Sequence, residues 1–481
     1  MLFIRLFDEP LAQASYLIGC SSSGEAVVVD PNRDASQYIA TAEAHGLRIT
    51  AVTETHIHAD FVSGTRELAA RTGATMYLSA AGPPEWQYGF GGERGVVLLA
   101  DRDTFRVGYI ELRAVHTPGH TPEHLSFLVT DTAAAHEPMG IVTGDFVFVN
   151  DVGRPDLLEK VAHRVGTADG GARQLFRSLQ WFKTLPDHLQ IWPGHGAGSA
   201  CGKGMSSVPQ STVGYERRFN WAFEVTDEAE FVRRVLEGQP EPPRYFGHMK
   251  TVNRDGPPVL GAIALPERMA EHLLPALLAS GTTIVDTRPA ADFGTGHIPG
   301  TINIPYNKSF TSWAGSLLSY DRDFYLLVDA THSGMLERIM QSLLMIGLDR
   351  VAGYFGTEAL ALWRREGRPV GQVAQMSVTD LAHKRAGLVV LDVRGRNEWD
   401  AGHIPGAVHI PLAELSDRVS ELPADQPIAI HCQGGGRSAI AASLLQAAGH
   451  REVSNVTGGF GEWSKTGLPT ENTPLQARTT P

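Results

Sequence analysis

Thr55-His56-Ile57-His58-Ala59-Asp60-Phe61 organises the first half of this chain. An apolar, β-branched run from Ile49 to Thr53 precedes it, and a helical pattern from Gly64 to Thr72 follows, with Ser63 placed to cap that helix and Gly73 to stop it. Two imidazoles and a carboxylate thus stand on a loop between rigid flanks. At alternate positions they can converge on one cation, neutral imidazole being the commonest side-chain metal ligand. A lone His-x-His is more often a pair of surface histidines, so the rest of the chain carries the reading. His120 lies in Thr117-Pro118-Gly119-His120-Thr121, Asp145 in Thr143-Gly144-Asp145, and His195 in Pro193-Gly194-His195-Gly196. Each is a glycine-marked turn beside an apolar run, where loop-borne ligands belong.

That order of residues resembles the metallo-β-lactamase superfamily over roughly residues 1–250. The resemblance implies an αββα sandwich, two sheets flanked by helices, with metal ligands on loops at one edge. The superfamily pattern places a further histidine directly after the aspartate; here Phe61 stands there and offers no lone pair, so a two-metal hydrolytic centre loses a ligand and one metal is expected. Two imidazoles and one carboxylate with open positions form the ligand set of non-haem iron(II) oxygenases, and the persulfide dioxygenases of this superfamily use it. Carried over residue by residue, the resemblance implies His56, His120 and Asp145 as ligands of one Fe(II) per chain, with dioxygen as co-substrate. His58, Asp60 and His195 would orient those ligands and bound water. The turn Gly153-Arg154-Pro155-Asp156 is similar to the same branch.

At 481 residues the chain should hold two to four domains. A net charge of −12 argues against a nucleic-acid partner. No apolar run reaches the ~18 residues of a membrane span, the N-terminus lacks the basic and apolar regions of a signal peptide, and three cysteines form no disulfide framework. Cytoplasmic location is the expectation. Strands are expected at Ala12–Ile18, Ala26–Asp30 and Leu125–Val129, with a helix at Ser36–His45. Cys20, at the end of the first strand, reads as packing. His116 and His124 flank His120 and read as outer partners or incidental. Cys201 is of more interest: it follows His195 on the Gly-rich loop Gly198–Gly204, and Lys203 beside it would favour thiolate. Cys201 and Lys203 are therefore candidates for handling substrate, against an incidental loop cysteine. Thr212–Gly238 reads as helical and charged; Arg217 and Arg218 there read as a solvated face. The proline-rich Pro240–Pro258 reads as an extended strap.

Beyond residue 258 the chain repeats itself. Ile284-Val285-Asp286-Thr287-Arg288 recurs as Val390-Leu391-Asp392-Val393-Arg394, and Gly296-His297-Ile298-Pro299-Gly300 recurs as Gly402-His403-Ile404-Pro405-Gly406. Both copies alternate strand and helix signals, as small α/β domains with parallel sheets do. In the second copy the strand Ile428–His431 runs into Cys432-Gln433-Gly434-Gly435-Gly436-Arg437-Ser438 and a helix at Ala439–Ala448. A cysteine at a strand-to-helix turn faces backbone N–H groups and a helix N-terminus, both favouring thiolate. These elements resemble rhodanese domains. The resemblance implies that Cys432 is the nucleophile that carries sulfane sulfur. Arg437 stabilises it or clamps the loop, and Gln433, Gly434, Gly435, Gly436 and Ser438 form the persulfide cradle. In the first copy Asp329 of Asp329-Ala330-Thr331-His332-Ser333-Gly334 stands in the place of the cysteine, so that copy is expected to be inactive.

The expected fold is therefore α/β multidomain: an αββα sandwich (1–258), an inactive rhodanese-like domain (259–372) and an active one (373–481). Over essentially the whole chain this resembles persulfide dioxygenase–rhodanese fusions. The resemblance implies oxidation of a small persulfide, such as glutathione persulfide, to sulfite and thiol, and sulfur transfer that makes or uses thiosulfate. A homo-oligomer, dimer or tetramer, is expected, with small-molecule persulfides, sulfite and thiosulfate as its only partners and no nucleic acid or membrane. The alternative is a zinc-dependent, glyoxalase II-like thioester hydrolase fused to a sulfurtransferase, its metal on His56, His58 and His120. A third class is a non-catalytic sulfur relay.

Overall fold

The computed structural model describes residues 1–157, 159, 167–261, 264–330 and 332–472. Thr331 of the Asp329 loop, and residues 473–481 at the end of the expected third domain, lie outside the described residues. The chain divides into two compact units, one of residues 1–263 with Leu344–Gly347 and one of the remainder. Apart from Leu344–Gly347, both rhodanese-like copies fall in the second unit.

The first unit holds two six-stranded sheets. In one, Leu2–Asp8, Gln13–Cys20, Glu25–Val29, Arg48–Thr53, Thr75–Ser79 and Val96–Leu99 lie side by side in chain order. In the other the order runs Ser211–Thr212, Gln190–Pro193, Gly140–Gly144, Leu125–Asp131, Ile110–His116, Thr104–Val107. Successive residues of a strand point to opposite faces. Tyr16, Ile18, Val27 and Val29 meet Leu112, Phe127, Val142 and Trp192 between the sheets, while Leu17 and Val28 turn outward onto Tyr38 and Leu68 of the helices Ala35–Ala44 and Thr65–Thr72. Leu128 and Ile141 of the second sheet pack on Leu175, Leu179 and Phe231 of the helices Thr167–Phe182 and Glu228–Leu236. Being covered on both faces, the central strands read as continuous apolar runs rather than alternating ones. Among the described residues no helix is long and apolar enough to cross a membrane.

Several boundaries differ from expectation. The expected strands and helix lie within one or two residues of their places, but Leu2–Asp8, read only as a terminus, is an edge strand paired antiparallel from Leu2↔Gly19 to Asp8↔Gln13. Gly64 rather than Ser63 takes the cap position of its helix; the Ser63 hydroxyl instead accepts the Thr65 N–H. Thr212–Gly238 is three helices, Val213–Phe219, Trp221–Glu224 and Glu228–Leu236, because Asn220 and Asp227 leave helical geometry and cap the helices that follow them. The strap is the largest correction: it contains the helix Phe246–Asp255, with Pro243 before it and Pro257 after it. The prolines bound the helix instead of breaking it.

In the second unit the first copy has a four-stranded parallel sheet ordered Ile302–Asn303, Thr283–Asp286, Phe324–Val328, Val351–Gly356. The second copy repeats that order as Val408–His409, Val389–Asp392, Ile428–His431, Val453–Val456, and adds Ala374–Met376 beyond it. A single parallel bridge between Arg268 and Tyr354 takes the place of that fifth strand in the first copy. The repeated Asp-x-Arg is a structural clamp in both. Asp392 binds Arg394, whose guanidinium also donates to the Gly402 carbonyl at 2.7 Å; Asp286 binds Arg288, which reaches the Gly296 carbonyl at 3.2 Å. The helix Gly436–Ala447 of the second copy packs on Ile302–Asn303 of the first, where the Ser443 hydroxyl accepts the Asn303 N–H at 2.8 Å. That shared packing joins the copies into one unit.

The strap helix positions the loop at residues 56–61. Asn253 is buried; its Oδ1 accepts the Ser63 N–H at 2.8 Å and its Nδ2 donates to the carbonyls of His58 and Phe61, both at 2.7 Å. Asn253→Ala strands three buried backbone groups and should destabilise the first unit by about 2–4 kcal/mol. The expected result is a lowered first unfolding midpoint in a thermal melt; an unchanged midpoint would remove the helix from its clamping role.

Candidate functional site

His56 leaves the strand Arg48–Thr53, His120 sits in the turn between Ile110–His116 and Leu125–Asp131, and Asp145 follows Gly140–Gly144. All three side chains are buried, and their ligand atoms lie within 4.8 Å of one another. Asp145 Oδ2 is 3.4 Å from His120 Nε2 and 4.0 Å from His56 Nε2. Neither Asp145 oxygen has a hydrogen-bond partner, although the residue is only 1 % exposed. A buried carboxylate without a donor is costly, and a cation is the usual remedy.

The partners of the two imidazoles set their tautomers. Thr55 Oγ1 gives its hydrogen to Asp30 Oδ2 at 2.9 Å, so at 2.9 Å from His56 Nδ1 it must accept, leaving the proton on Nδ1 and Nε2 bare. His120 Nδ1 lies 3.1 Å from the Arg154 carbonyl, which can only accept, and its Nε2 is likewise bare. Burial pushes both imidazoles below the ordinary histidine range, with neighbouring histidines adding to the shift at His56, so both are neutral. Bare Nε2 atoms facing a carboxylate are the form in which histidine ligates a metal. The backbone makes this centre compact. A Cβ on residue 153 would stand 1.8 Å from the Asp145 carbonyl oxygen, and one on residue 194 would stand 2.7 Å from Asp145 Oδ1, so both crossings require glycine.

His58 is held elsewhere. Burial works against its charge, but Asp30 Oδ1 at 3.1 Å, with Asp60 and Glu54, raises its pKa to about 9, and its ring packs on Phe61 at 4.4 Å. It is an imidazolium paired with Asp30, and not part of the three-residue group. Asp60 and His195 meet across 3.3 Å, and His195 Nε2 also lies 3.5 Å from Asp145 Oδ1. With Cys201 they form a second group of buried donors. Cys201 is thus brought to the centre, but Lys203 is not brought to Cys201. Its ammonium donates to the Arg234 and Glu237 carbonyls at 2.8 and 2.6 Å, and the expectation that it favours a Cys201 thiolate is overturned. Burial, and then the charges of Asp145 and Asp60, push the Cys201 thiol well up.

Other residues complete the site, and Asp30 and Glu123 among them escaped the sequence reading. Asp30 accepts from Thr55 and His58. Glu123 accepts the Ile57 N–H at 2.8 Å. His124 Nε2 accepts the Asp145 N–H at 3.2 Å, which makes His124 a support for that ligand. Arg154 is fully buried; besides its carbonyl on His120, its guanidinium binds Asp156 and donates to the Ala200 carbonyl at 2.9 Å, fixing the loop that carries Cys201. The Gly-Arg-Pro-Asp turn was the available signal for Arg154, and the spacing about His120 that for His124, read as an outer partner or incidental; nothing local pointed to Asp30 or Glu123.

In the second unit Cys432 ends the strand Ile428–His431 and faces the helix Gly436–Ala447. Its sulfur accepts the Gly435 N–H at 3.1 Å and the Ser438 hydroxyl at 3.5 Å. Burial alone would raise the thiol, but Ser438 and the amides of Gly434 and Gly435 outweigh it and lower the pKa. Phe460 N–H donates to the Cys432 carbonyl at 2.7 Å and Gly461 N–H to that of Gln433 at 2.9 Å, holding the cradle from the far side. Arg437 makes two bonds to Glu398, at 2.5 and 2.7 Å, so its guanidinium clamps the loop to the helix Arg396–Ala401. In the first copy Asp329 pairs with His332 at 3.1 Å.

Residues 8–195 match the metallo-beta-lactamase superfamily, and residues 270–356 and 377–466 each match the rhodanese-like domain. The crystal structure of a metallo-beta-lactamase from Staphylococcus aureus subsp. aureus COL is 41 % identical in sequence; it covers 74 % of this chain, 98 % of its own length is matched, and the TM-score is 0.66. A probable metallo-hydrolase of Burkholderia pseudomallei (strain 1710b) is 31 % identical over 39 % of this chain and 70 % of its own length. A hydroxyacylglutathione hydrolase of Methylococcus capsulatus is 32 % identical over 37 % of this chain and 60 % of its own length. By fold, by ligand turns and by these likenesses, the chain belongs to the metallo-β-lactamase superfamily and carries two rhodanese-like domains behind its αββα sandwich.

Proposed function

We propose that this chain is a bifunctional sulfur enzyme: an iron-dependent dioxygenase for a small-molecule persulfide, joined to a sulfurtransferase. The observation that carries the reading is the group His56, His120 and Asp145, two bare imidazole nitrogens facing a carboxylate with no donor. With His58 committed to Asp30 and phenylalanine at residue 61, two imidazoles and one carboxylate remain, the ligand set of iron(II) oxygenases. Iron(II) held there supplies redox chemistry with dioxygen that zinc cannot. The likeness to a hydroxyacylglutathione hydrolase favours a second reading, thioester hydrolysis, with the same three residues holding zinc.

The chain's own residues perform the rest. Thr55 and the Arg154 carbonyl keep the imidazole protons on Nδ1, and Asp30 fixes Thr55. The oxidation balances as persulfide plus dioxygen plus water giving thiol, sulfite and two protons. At the second site the Cys432 thiolate attacks the outer sulfur of a persulfide; the Sγ–S bond forms, the donor's S–S bond breaks, and the donor leaves as thiolate. Sulfite then takes that sulfur, giving thiosulfate and restoring the Cys432 thiolate. The amides that point at the sulfur stabilise both anions.

Oxygen uptake by anaerobically prepared, iron-loaded protein given glutathione persulfide tests the first activity. Asp145→Ala should lower uptake by more than about 100-fold, beyond the cost of losing an outer partner of a metal ligand. Zinc-loaded protein that cleaves a thioester and consumes no oxygen in the iron form would replace the dioxygenase with the hydrolase. Cys432→Ser should keep sulfite production and abolish thiosulfate formation; thiosulfate at the wild-type rate would break the two-site scheme. Because hydrogen bonds lower the Cys432 pKa below the ordinary thiol range, its thiolate persists to lower pH than a free thiolate and is lost as pH falls through that lowered value. Alkylation of Cys432, followed by peptide mass spectrometry, should have its midpoint at a lower pH than alkylation of a free thiol, and Ser438→Ala should move that midpoint upward.

A further inference from the structure

Leu344–Gly347 lies by sequence within the first rhodanese-like copy, yet it belongs to the first unit. The helix Met335–Met345 ends there on a left-handed glycine. Gly347 has φ 73, its N–H returns to the Leu344 carbonyl at 3.1 Å, and the Leu348 N–H returns to the Leu343 carbonyl at 3.0 Å. That closure engages the carbonyls of Leu343 and Leu344 and leaves the Met345 carbonyl for a partner outside the helix. It accepts the Val62 N–H at 2.7 Å. The buried Arg33 donates to the carbonyls of Leu344 and Pro258, both at 3.4 Å, placing a cation at the end of that helix. Its neighbour Asn32 bridges to Ser63, the residue after Val62.

The bond to Val62 completes a row. The Asp60 carbonyl accepts the Tyr245 hydroxyl at 3.1 Å, and Asn253 takes the Phe61 carbonyl and the Ser63 N–H. Between these, Met345 takes the Val62 N–H, so the backbone is held at each residue from 60 to 63. That hold keeps the Phe61 ring on His58 at 4.4 Å and Asp60 at 3.3 Å from His195. Met345, Ile346 and Val62 are all buried, so a displaced turn would leave the Val62 N–H without water to replace its partner. The fit is close. A Cβ on residue 347 would stand 3.2 Å from Val62 Cγ2 and 3.3 Å from Met249 Cε.

We propose that Leu344–Gly347 is a positioning element of the candidate metal site. Through it the rhodanese-like copy without a cysteine serves metal binding at His56, His120 and Asp145, by fixing the loop at residues 56–63 before an ion arrives. A loop already ordered adds no ordering cost to binding, which raises affinity without a new ligand. The proposal rests on the reading of those three residues as metal ligands, and it needs neither iron nor a persulfide.

Full-length protein, stripped of metal, is titrated with cobalt(II) alone, and affinity is read from the visible absorption of the bound ion. Gly347→Ala adds the Cβ that presses on Val62 and should weaken binding by at least about 10-fold, as loss of an outer partner of a metal ligand does. Val62→Ala removes Cγ2 and, combined with Gly347→Ala, should recover most of that loss, a coupling that two unrelated changes lack. Gly281→Ala is the matched control: Gly281 closes its helix with the same pair of bonds at φ 75, with open space where a Cβ would stand. It should bind cobalt as the wild type does. Gly347→Asn brings the same Cβ on a residue that tolerates the left-handed backbone, and guards against an alanine variant that does not fold. Hydrogen exchange across residues 56–63, measured without metal, should quicken in Gly347→Ala and not in Gly281→Ala. Wild-type affinity and exchange in both Gly347 variants, or an equal loss in Gly281→Ala, overturns the proposal. Asp145→Ala separates the two failures: cobalt binding that it leaves unchanged overturns the ligand reading, whereas binding that it abolishes while Gly347→Ala does nothing overturns the positioning role alone.

Discussion

A carboxylate buried with both oxygens unpartnered is the constraint around which the first unit is arranged. Asp145 is 1 % exposed and neither of its oxygens has a hydrogen-bond partner, an arrangement that is costly in a water-poor space. Every neighbour is organised for a cation in that space instead. The imidazoles of His56, His120 and His195 each spend Nδ1 on an oxygen of the protein and present Nε2 inward. Asp30 sits one residue further out and fixes both Thr55 and His58. Its own backbone is held at φ 51, a conformation non-glycine residues rarely adopt, as is that of Ala12 at φ 50, whose carbonyl steers His195. Strain at two positions that both aim groups at one centre belongs with the function of that centre.

The second unit shows what one frame does with and without its reactive loop. Both rhodanese-like copies keep the Asp-x-Arg clamp, the Gly-His-Ile-Pro-Gly turn and the strand order. Their histidines stack on an aromatic ring in the same way, His297 on Phe293 and His403 on Trp399. These shared features serve the fold. The copies part at the strand-to-helix loop: amide and hydroxyl donors gather round a sulfur at Cys432, whereas Asp329 turns to His332. The Arg437–Glu398 pair belongs to the second copy, where Glu398 also accepts the Gly395 N–H. The pair fixes Arg437, whose guanidinium also interacts with Cys432, so the clamp and the stabilisation of the sulfur reside in one side chain.

Legibility followed the range of the interactions. The His-x-His turn, the Gly-Asp turn, the repeat and the Cys432 loop are local patterns whose chemistry is contained in a few consecutive residues, and they assemble as expected. What was missed depends on distance along the chain. Asn253 reaches His58 and Phe61 from nearly two hundred residues away, so a segment that looked like a proline strap folds as a helix under tertiary hydrogen bonds. Lys203 is two residues from Cys201, yet its ammonium is drawn to helix carbonyls at Arg234 and Glu237. Adjacency in sequence overstated that pair, and nothing in composition could reveal that Asp60, His195 and Cys201 meet.

The floor of the candidate metal centre is main chain. At residues 153 and 194 the backbone passes so close to Asp145 that a single methyl group would collide with it. Substitution therefore has little access to the site from beneath, whatever the selection applied. The rim is different: residues 61 and 201 arrive on separate loops and can be exchanged without moving the floor. A candidate centre built this way confines variation to positions such as 61 and 201, away from the two backbone crossings. For an engineer it divides the protein into a part to leave alone and a short set of positions to randomise.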